Sequence, residues 1–422
     1  MVNSENFLSQ AGRSMRESAI RKMGTVLAGA RDMVSFAPGY PSESTFPFDE
    51  FAAITDDLLR AHSGVVLQYG ATRGVKPLVE SLVTLLASRG IQSDPARLTV
   101  THGSQQGLDL VAKVLFDPGD CVLVELPSYT GAITAFRNAG AELVGVAQQA
   151  DGLDLDALDH TLDRLLAAGR RVKALYVVPN FQNPTGLLIG LAKRRALLEW
   201  VTRRDLLLIE DDPYRDLYFE DLTTEAETRP IAADDEDGRV VYLGSFSKTL
   251  APGLRVAWMH ANPALTARFE LAKQAADLCT AGLAQHIVDQ AIRRGVLAAQ
   301  LPRLRAHYQA QRDGMTAALT ELCPGALTWA APRGGFFLWA TLNGPVDGDA
   351  LLPFAQARGV IFVAGSAFFV QGDERQWIRL SFSSATPEMM REGVRRLAGA
   401  LTDSGGWPAA TAAAGPAASA RR

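Results

Sequence analysis

Cysteine is scarce in this 422-residue sequence: Cys121, Cys279 and Cys323 are far apart and never fall into C-x-x-C spacing. That spacing suggests neither a disulfide framework nor a zinc site. Cys121 lies in an apolar run and reads as a core thiol, and so few cysteines suit a reducing compartment. Long apolar runs are also missing. No stretch reaches the eighteen or so residues of a membrane span, and the opening MVNSENFLSQAGRSM lacks the apolar segment of a secretory signal. Nor does charge of one sign prevail: 42 Lys and Arg oppose 46 Asp and Glu, a net charge of -4. That balance argues against a broad nucleic-acid footprint but leaves room for a local basic patch. The expectation is a cytoplasmic protein with neither nucleic acid nor membrane as partner. What the chain does have is 47% apolar and 21% charged residues, an ordinary globular balance able to bury a sizeable core. Its length suits two or three domains, and it has no internal repeat.

The first forty-odd residues read as an arm. Ile20, Met23, Leu27 and Ala30 recur at helical spacing and predict a short amphipathic helix. Residues 35–47, rich in Pro, Gly and Ser, read as a loop. From about 98 to 259, short β-branched runs alternate with helical patterns. Seven strands are predicted, at 98–101, 121–124, 143–146, 174–178, 206–209, 240–243 and 256–259. Several are continuously apolar, as strands covered on both faces should be. The fold class expected is therefore α/β, with a mainly parallel seven-stranded sheet covered by helices. In such sheets ligands bind beyond the carboxyl ends of the strands. Residues 262–312 read as long helix. Strands at 335–340 and 377–382 and helices at 349–358 and 387–401 then predict a smaller α+β unit. The Ala-, Gly-, Pro- and Ser-rich tail, 404–422, reads as disordered.

Several loops at predicted strand ends carry chemistry, each beside a plainer alternative. The segment Gly-Ser-Phe-Ser-Lys-Thr-Leu-Ala-Pro-Gly-Leu-Arg, 244–255, places Lys248 between two strands. A lysine amine condenses with an aldehyde cofactor once desolvation or cationic neighbours deprotonate it. Ser245, Ser247 and Arg255 supply hydroxyls and a planar cation for a phosphate. Alone, the segment reads more simply as a polar loop with a solvated lysine. Asp211 closes the apolar run 206–209, where a carboxylate can keep a heteroaromatic ring nitrogen protonated; Glu210 and Asp212 beside it read as helix caps or loop solvation.

Asn183, in Gln-Asn-Pro-Thr-Gly, offers an amide to a phenolic ring oxygen, and Tyr214 offers a hydroxyl from another side. The alternative is an Asn-Pro turn, whose peptide bond is a candidate for cis. Ser104 and Gln105 follow Gly103 at a strand-to-helix turn, where free N–H groups hold phosphate well; a Ser-capped helix explains the same residues. His102 reads as structural. Tyr129, in Pro-Ser-Tyr, suits stacking on a flat ring or packing under a loop. Arg379, inside a predicted strand, needs a partner if buried, either a substrate carboxylate or a structural acid.

Taken in order, Gly103–Gly107, Pro127–Tyr129, Gln182–Gly186, Asp211–Tyr214, Ser245–Arg255 and Arg379–Phe382 resemble the class I/II aminotransferases of the aspartate-aminotransferase fold, over about residues 15 to 401. Phe-Gln-Asn-Pro-Thr-Gly, Gly-Ser-Gln-Gln-Gly-Leu and Ser-Phe-Ala-Pro-Gly-Tyr-Pro are similar to the branch holding 2-aminoadipate and kynurenine aminotransferases. The resemblance implies pyridoxal 5'-phosphate, held as a Schiff base by Lys248, which also shuttles the substrate proton. It implies Asp211 on the ring nitrogen, Asn183 and Tyr214 on the ring hydroxyl, and Tyr129 on the ring face. Ser104, Gln105, Ser245, Ser247 and Arg255 would hold the phosphate. Arg379, with Asn183, would grip the substrate α-carboxylate, and Gly39 and Tyr40 would lie near its side chain. Pro38, where the branch usually has glycine, and Tyr40, where it has an aliphatic residue, depart from the pattern.

Tyr69 resembles the tyrosine that reaches a neighbouring subunit's phosphate, which implies a homodimer with shared sites. The substrates implied are an L-amino acid, whether common or specialised, and a 2-oxo acid. A cyclase, lyase, decarboxylase or oxidase of an amino acid would use the same lysine. A DNA-binding regulator would need a helix-turn-helix unit ahead of Phe46-Pro47, where one helix is predicted. The expected division is an arm at 1–47 that joins the small domain, a large cofactor-binding domain at 48–300, a small domain at 301–403 and the tail.

Overall fold

The computed structural model describes residues 4–9, 12, 13, 15, 32–372 and 374–407. The helix expected around Ile20 and Ala30, and the tail beyond 407, lie outside the described residues.

The strands in chain order are β1 (Val34–Ser35), β2 (Leu98–Thr101), β3 (Cys121–Leu126), β4 (Glu142–Gln149), β5 (Gly152–Leu153), β6 (Val172–Val177), β7 (Leu207–Asp211), β8 (Val240–Ser245), β9 (Ala257–His260), β10 (Leu327–Trp329), β11 (Phe337–Leu342), β12 (Val360–Ile361), β13 (Val363–Ala364) and β14 (Trp377–Ser381). The helices are α1 (Phe48–Val66), α2 (Lys76–Ser88), α3 (Ser104–Leu115), α4 (Thr130–Asn138), α5 (Leu155–Ala167), α6 (Leu191–Arg203), α7 (Pro263–Asp277), α8 (Gly282–Arg293), α9 (Val296–Leu322), α10 (Gly348–Ala357) and α11 (Pro387–Asp403).

The large sheet has the order β2-β9-β8-β7-β6-β3-β4-β5. Its five central strands, β8 to β4, run parallel, and β9 is antiparallel to both neighbours. All seven predicted strands are present. The eighth, β5, is a two-residue return of β4, too short to leave a periodic signal. Side chains alternate between the faces, and each face has its own core. Leu123, Leu175, Leu208 and Tyr242 face α2, α5, α6 and α8. Val124, Tyr176, Ile209 and Leu243 face α3, α4 and α7. Burying both faces is why these strands read as continuous apolar runs.

The smaller unit packs α9, α10 and α11 on an antiparallel sheet of order β10-β11-β14-β13, beside the parallel pair β1 and β12. The helical stretch expected over 262–312 is three helices, divided at Leu278 and at Gly295, whose φ of 76° suits glycine. Helix α9 is continuous across 300 and 301: its Leu297 belongs to the first core and its Leu304, Tyr308 and Met315 to the second.

Candidate active site

Five loops meet at one rim of the large sheet, beyond the carboxyl ends of its parallel strands. Strand β2 leads into Gly103 and α3, β3 into Tyr129, β6 into Asn183, β7 ends at Asp211, and β8 leads into Lys248. Arg255 reaches the same rim because it precedes β9, which runs the other way.

The Lys248 amine donates to the Gly39 carbonyl at 2.9 Å. It lies 5.8 Å from the centre of the Tyr214 ring and 5.5 Å from that of Phe336. Burial, aided by the positive charges of Arg379 and Arg255, lowers its pKa from the ordinary 10.5 to about 8. Desolvation penalises the ammonium form, so the neutral nucleophile is reached at lower pH. A pH dependence follows. Below about 8 the amine is protonated and inert, so capture of an aldehyde by the apoprotein should quicken as pH rises through 8 and level off before 10. Stopped-flow absorbance measures this; a rise that continues to the ordinary lysine range would contradict it.

Asp211 is buried at the end of β7. Its Oδ2 accepts from the Tyr176 hydroxyl at 2.9 Å, while its Oδ1 has no hydrogen-bond partner. Burial raises its pKa to about 7, the Tyr176 bond opposes that, and Asp212 adds to it. Buried polar atoms are almost always satisfied, so a free carboxylate oxygen at the mouth of the sheet marks a place for a donor.

Arg379, on β14, is 1% exposed. One guanidinium nitrogen donates to Asn183 Oδ1 at 2.7 Å and another to the Ala37 carbonyl, while Nε lacks a partner. The cation lies 4.3 Å from the centre of the Phe337 ring and 5.1 Å from that of Phe368. Burial lowers its pKa to about 10, which still leaves it charged at neutral pH. A buried cation whose hydrogen bonds go to neutral oxygens is poised for a carboxylate. Asn183 is buried, follows Phe181 in a left-handed turn, and enters a cis bond to Pro184. Its side chain also hydrogen-bonds the buried Tyr214 hydroxyl, which burial holds in its neutral form.

Arg255 adopts a left-handed φ of 53°. It donates to the His102 carbonyl at 3.1 Å and to that of Pro252 at 3.3 Å, which does not neutralise its charge. A Cβ on Gly103 would collide with this guanidinium, so glycine there lets the cation approach the first turn of α3, where Ser104 and Gln105 sit. Gln105 Nε2 donates to the Gly131 carbonyl at 3.1 Å. Ser245 Oγ accepts from the Ser247 amide at 3.0 Å, which folds the lysine loop back on itself. Tyr129 is half-buried, its ring packed over Gly131.

Gly39 enters the site through its carbonyl and packs on the Phe337 ring, which a Cβ there would meet at 2.5 Å. Two predicted residues stand apart within the single chain: Tyr69 is 79% exposed and Tyr40 66%. Glu210 and Asp212, expected as caps or solvated loop residues, require correction, because both are fully buried members of a polar network. Glu210 accepts the Ile231 and Ala232 amides at 2.8 Å each. Asp212 accepts from Asn180 at 2.8 Å and Tyr242 at 3.1 Å, among Arg89, Arg194 and Arg215. His102, read as structural, lies 3.8 Å from Asp277. Sequence reasoning missed Tyr176, Phe336, Phe337 and Phe368. For Tyr176 there was a usable signal: a tyrosine inside a fully buried strand needs a partner for its hydroxyl.

A family model described as "Aminotransferase class I and II" matches residues 34–397. The chain belongs to the class I and II aminotransferases. It is 38% identical to aromatic-amino-acid aminotransferase 1 of Thermococcus litoralis over 93% of this chain and 94% of that one. It is 39% identical to the 2-aminoadipate transaminase of Thermus thermophilus, over 94% and 97%. Among solved structures, the kynurenine aminotransferase of Pyrococcus horikoshii in complex with PMP superposes with a TM-score of 0.89 at 36% identity, over 95% of this chain and 98% of that one. This aminotransferase uses pyridoxal phosphate to move an amino group between an amino acid and a 2-oxo acid. The rim fits that cofactor: among the described residues Asp211 Oδ1 has no donor and Arg255 bonds only carbonyls, and burial brings the Lys248 pKa down to about 8. No helix among the described residues is long and apolar enough to cross a membrane.

Proposed function

We propose that Lys248 carries the cofactor covalently and that this rim is the transaminase centre. The observation that carries the reading is the Lys248 amine, held near pKa 8 with Arg379 among its causes and the Tyr214 ring beside it. Asp211 Oδ1 accepts from the protonated ring nitrogen. Asn183 and Tyr214 bond the ring oxygen, and Tyr129 covers the ring face. Ser104, Gln105, Ser245, Ser247 and Arg255 hold the phosphate, with the start of α3 adding its free N–H groups. Arg379 binds the α-carboxylate of an L-amino acid, assisted by Asn183. When bound, pyridoxal phosphate accepts the electron pair that the departing α-proton leaves on the substrate. The Lys248 amine would take that proton from the substrate Cα and hold it for return, a role that suits a base titrating near neutrality.

Tyr69 then finds its role in a homodimer. Val65, Leu67 and Tyr69 are each more than 60% exposed at and just beyond the end of α1, and a second copy covering them would bring Tyr69 to its phosphate. Residues 37–40 and Phe337 border the substrate side chain. The chain divides near residue 300 into a large cofactor-binding and a small domain, and it works in the cytoplasm.

Transamination makes a stoichiometric prediction. Mixed with an amino acid alone, the holoprotein should release one 2-oxo acid per site and stop. Adding a 2-oxo acid acceptor should restart turnover, and a panel of amino acids would identify the preferred donor. Sustained product formation without an acceptor would point to another reaction of the cofactor and overturn this reading.

A further inference from the structure

We infer that Tyr176 is a positioning residue for the cofactor's ring nitrogen, acting through Asp211; the inference rests on the assignment of Asp211 to that nitrogen. Tyr176 lies on β6 and Asp211 on the neighbouring β7, both with side chains on the face that packs against α3 and α4. The Tyr176 hydroxyl donates to Asp211 Oδ2 at 2.9 Å. Its ring is fully buried and held edge-on by Phe136, with ring centres 5.5 Å apart. The donor therefore has a fixed direction.

Two consequences follow from chemistry. A carboxylate has two oxygens, and one that could rotate would present either of them to the ring. With Oδ2 occupied by a rigid donor, Oδ1 alone is left open, as its lack of a partner records. The second consequence concerns charge. Asp211 is buried with Asp212 beside it, and Glu125 on β3 and the Tyr214 hydroxyl are further acids that feel its charge. Burial and the Asp212 carboxylate both discourage a negative charge at Asp211, whereas the Tyr214 hydroxyl, held neutral by burial, adds none. A hydrogen bond to a charged group favours the charged form, and the Tyr176 hydroxyl supplies one. It keeps Asp211 ionised, so that a protonated ring nitrogen meets a carboxylate rather than a carboxylic acid.

The same environment explains why tyrosine stands there rather than a cation. A lysine or arginine would ionise Asp211 fully but would also neutralise it as a partner for the ring. A neutral donor stabilises the carboxylate and leaves its charge available.

The test compares two cofactors, pyridoxal phosphate and its analogue with the ring nitrogen replaced by C–H, each titrated into apoprotein and followed by fluorescence. The protein as it stands should prefer the nitrogen form. In Tyr176→Phe that preference should fall by about tenfold, the scale of one hydrogen bond to a charged group, while affinity for the carbon analogue stays within about twofold. A purely structural role would weaken both cofactors alike. Asp211→Asn, measured in parallel, should abolish the preference. If Asp211→Asn abolishes it and Tyr176→Phe leaves it intact, the inference about Tyr176 is wrong and the site assignment stands. If Asp211→Asn also leaves it intact, both fail. Phenylalanine keeps the edge-on contact with Phe136, and thermal unfolding of each apoprotein checks the fold.

Discussion

Replacing Lys248 with alanine should lower turnover at least about a thousandfold, the range in which a positioned base and nucleophile act. Steady-state assay of any accepted amino acid with a 2-oxo acid measures it. The loss should appear in kcat, because both half-reactions need the same proton moved. The residues around Lys248 assign it this role rather than Asp211 or Tyr214. Asp211 has one oxygen committed to Tyr176, and burial holds the Tyr214 hydroxyl protonated. The lysine combines a pKa of about 8 with a hydrogen bond to a loop carbonyl, that of Gly39, which it can release. Little stability should be lost, since the substitution removes one half-buried amine whose Gly39 partner is itself partly exposed. Near-normal catalysis by the alanine variant would remove the basis of the assignment.

Arg379→Ala should lower kcat/KM for the amino acid by about 100- to 1,000-fold, the cost of leaving a buried carboxylate without its partner. The same factor should apply to the 2-oxo acid, because both substrates bring the same carboxylate. Affinity for the cofactor should change little, since Arg379 meets Asn183 and the Ala37 carbonyl rather than the phosphate cup. Arg379→Lys should fall between the two, because an ammonium keeps the charge but loses the planar two-pronged geometry. The variants would be compared by initial rates over a range of both substrates. An unchanged kcat/KM in Arg379→Ala would return this arginine to a structural role, holding segment 37–39 against β14.

Much of this architecture was legible in the sequence for a physical reason. The seven strands of the large sheet are buried on both faces, so each leaves a continuous apolar run that chain connectivity cannot hide. The chemistry was legible because it sits where those runs stop: Asp211 ends β7, Ser245 ends β8, and Asn183 and Tyr129 follow β6 and β3 within six residues. What was hidden is what depends on contacts between distant segments. Strands β1, β5, β12 and β13 have two residues each, and a pair of residues has no period. Glu210 and Asp212 looked like loop acids because their partners, Ile231 and Asn180, come from other parts of the chain. The Tyr176 to Asp211 bond links residues 35 positions apart, and only the parallel pairing of β6 and β7 makes them neighbours.

Position 40 shows the same boundary from the other side. The early loop was visible as a run of small and turn-forming residues, but its path over the site was not. The path is set by Phe36 in the core of the smaller unit, by the Ser381 amide on the Phe36 carbonyl at 2.8 Å, and by Ser383 on the Tyr40 carbonyl at 2.6 Å. These anchors lie some 340 residues further along the chain. They bring the Gly39 carbonyl onto the lysine while leaving the Tyr40 side chain exposed.

The most direct measurement for the central claim is to reduce the holoprotein with borohydride, digest it and map the cofactor by mass spectrometry. A single stable adduct, the mass of reduced phosphopyridoxyl, is expected on the peptide containing Lys248, and none in Lys248→Ala treated identically. An adduct on any other lysine, or an unmodified Lys248 in a protein that retains its bound cofactor, would contradict it.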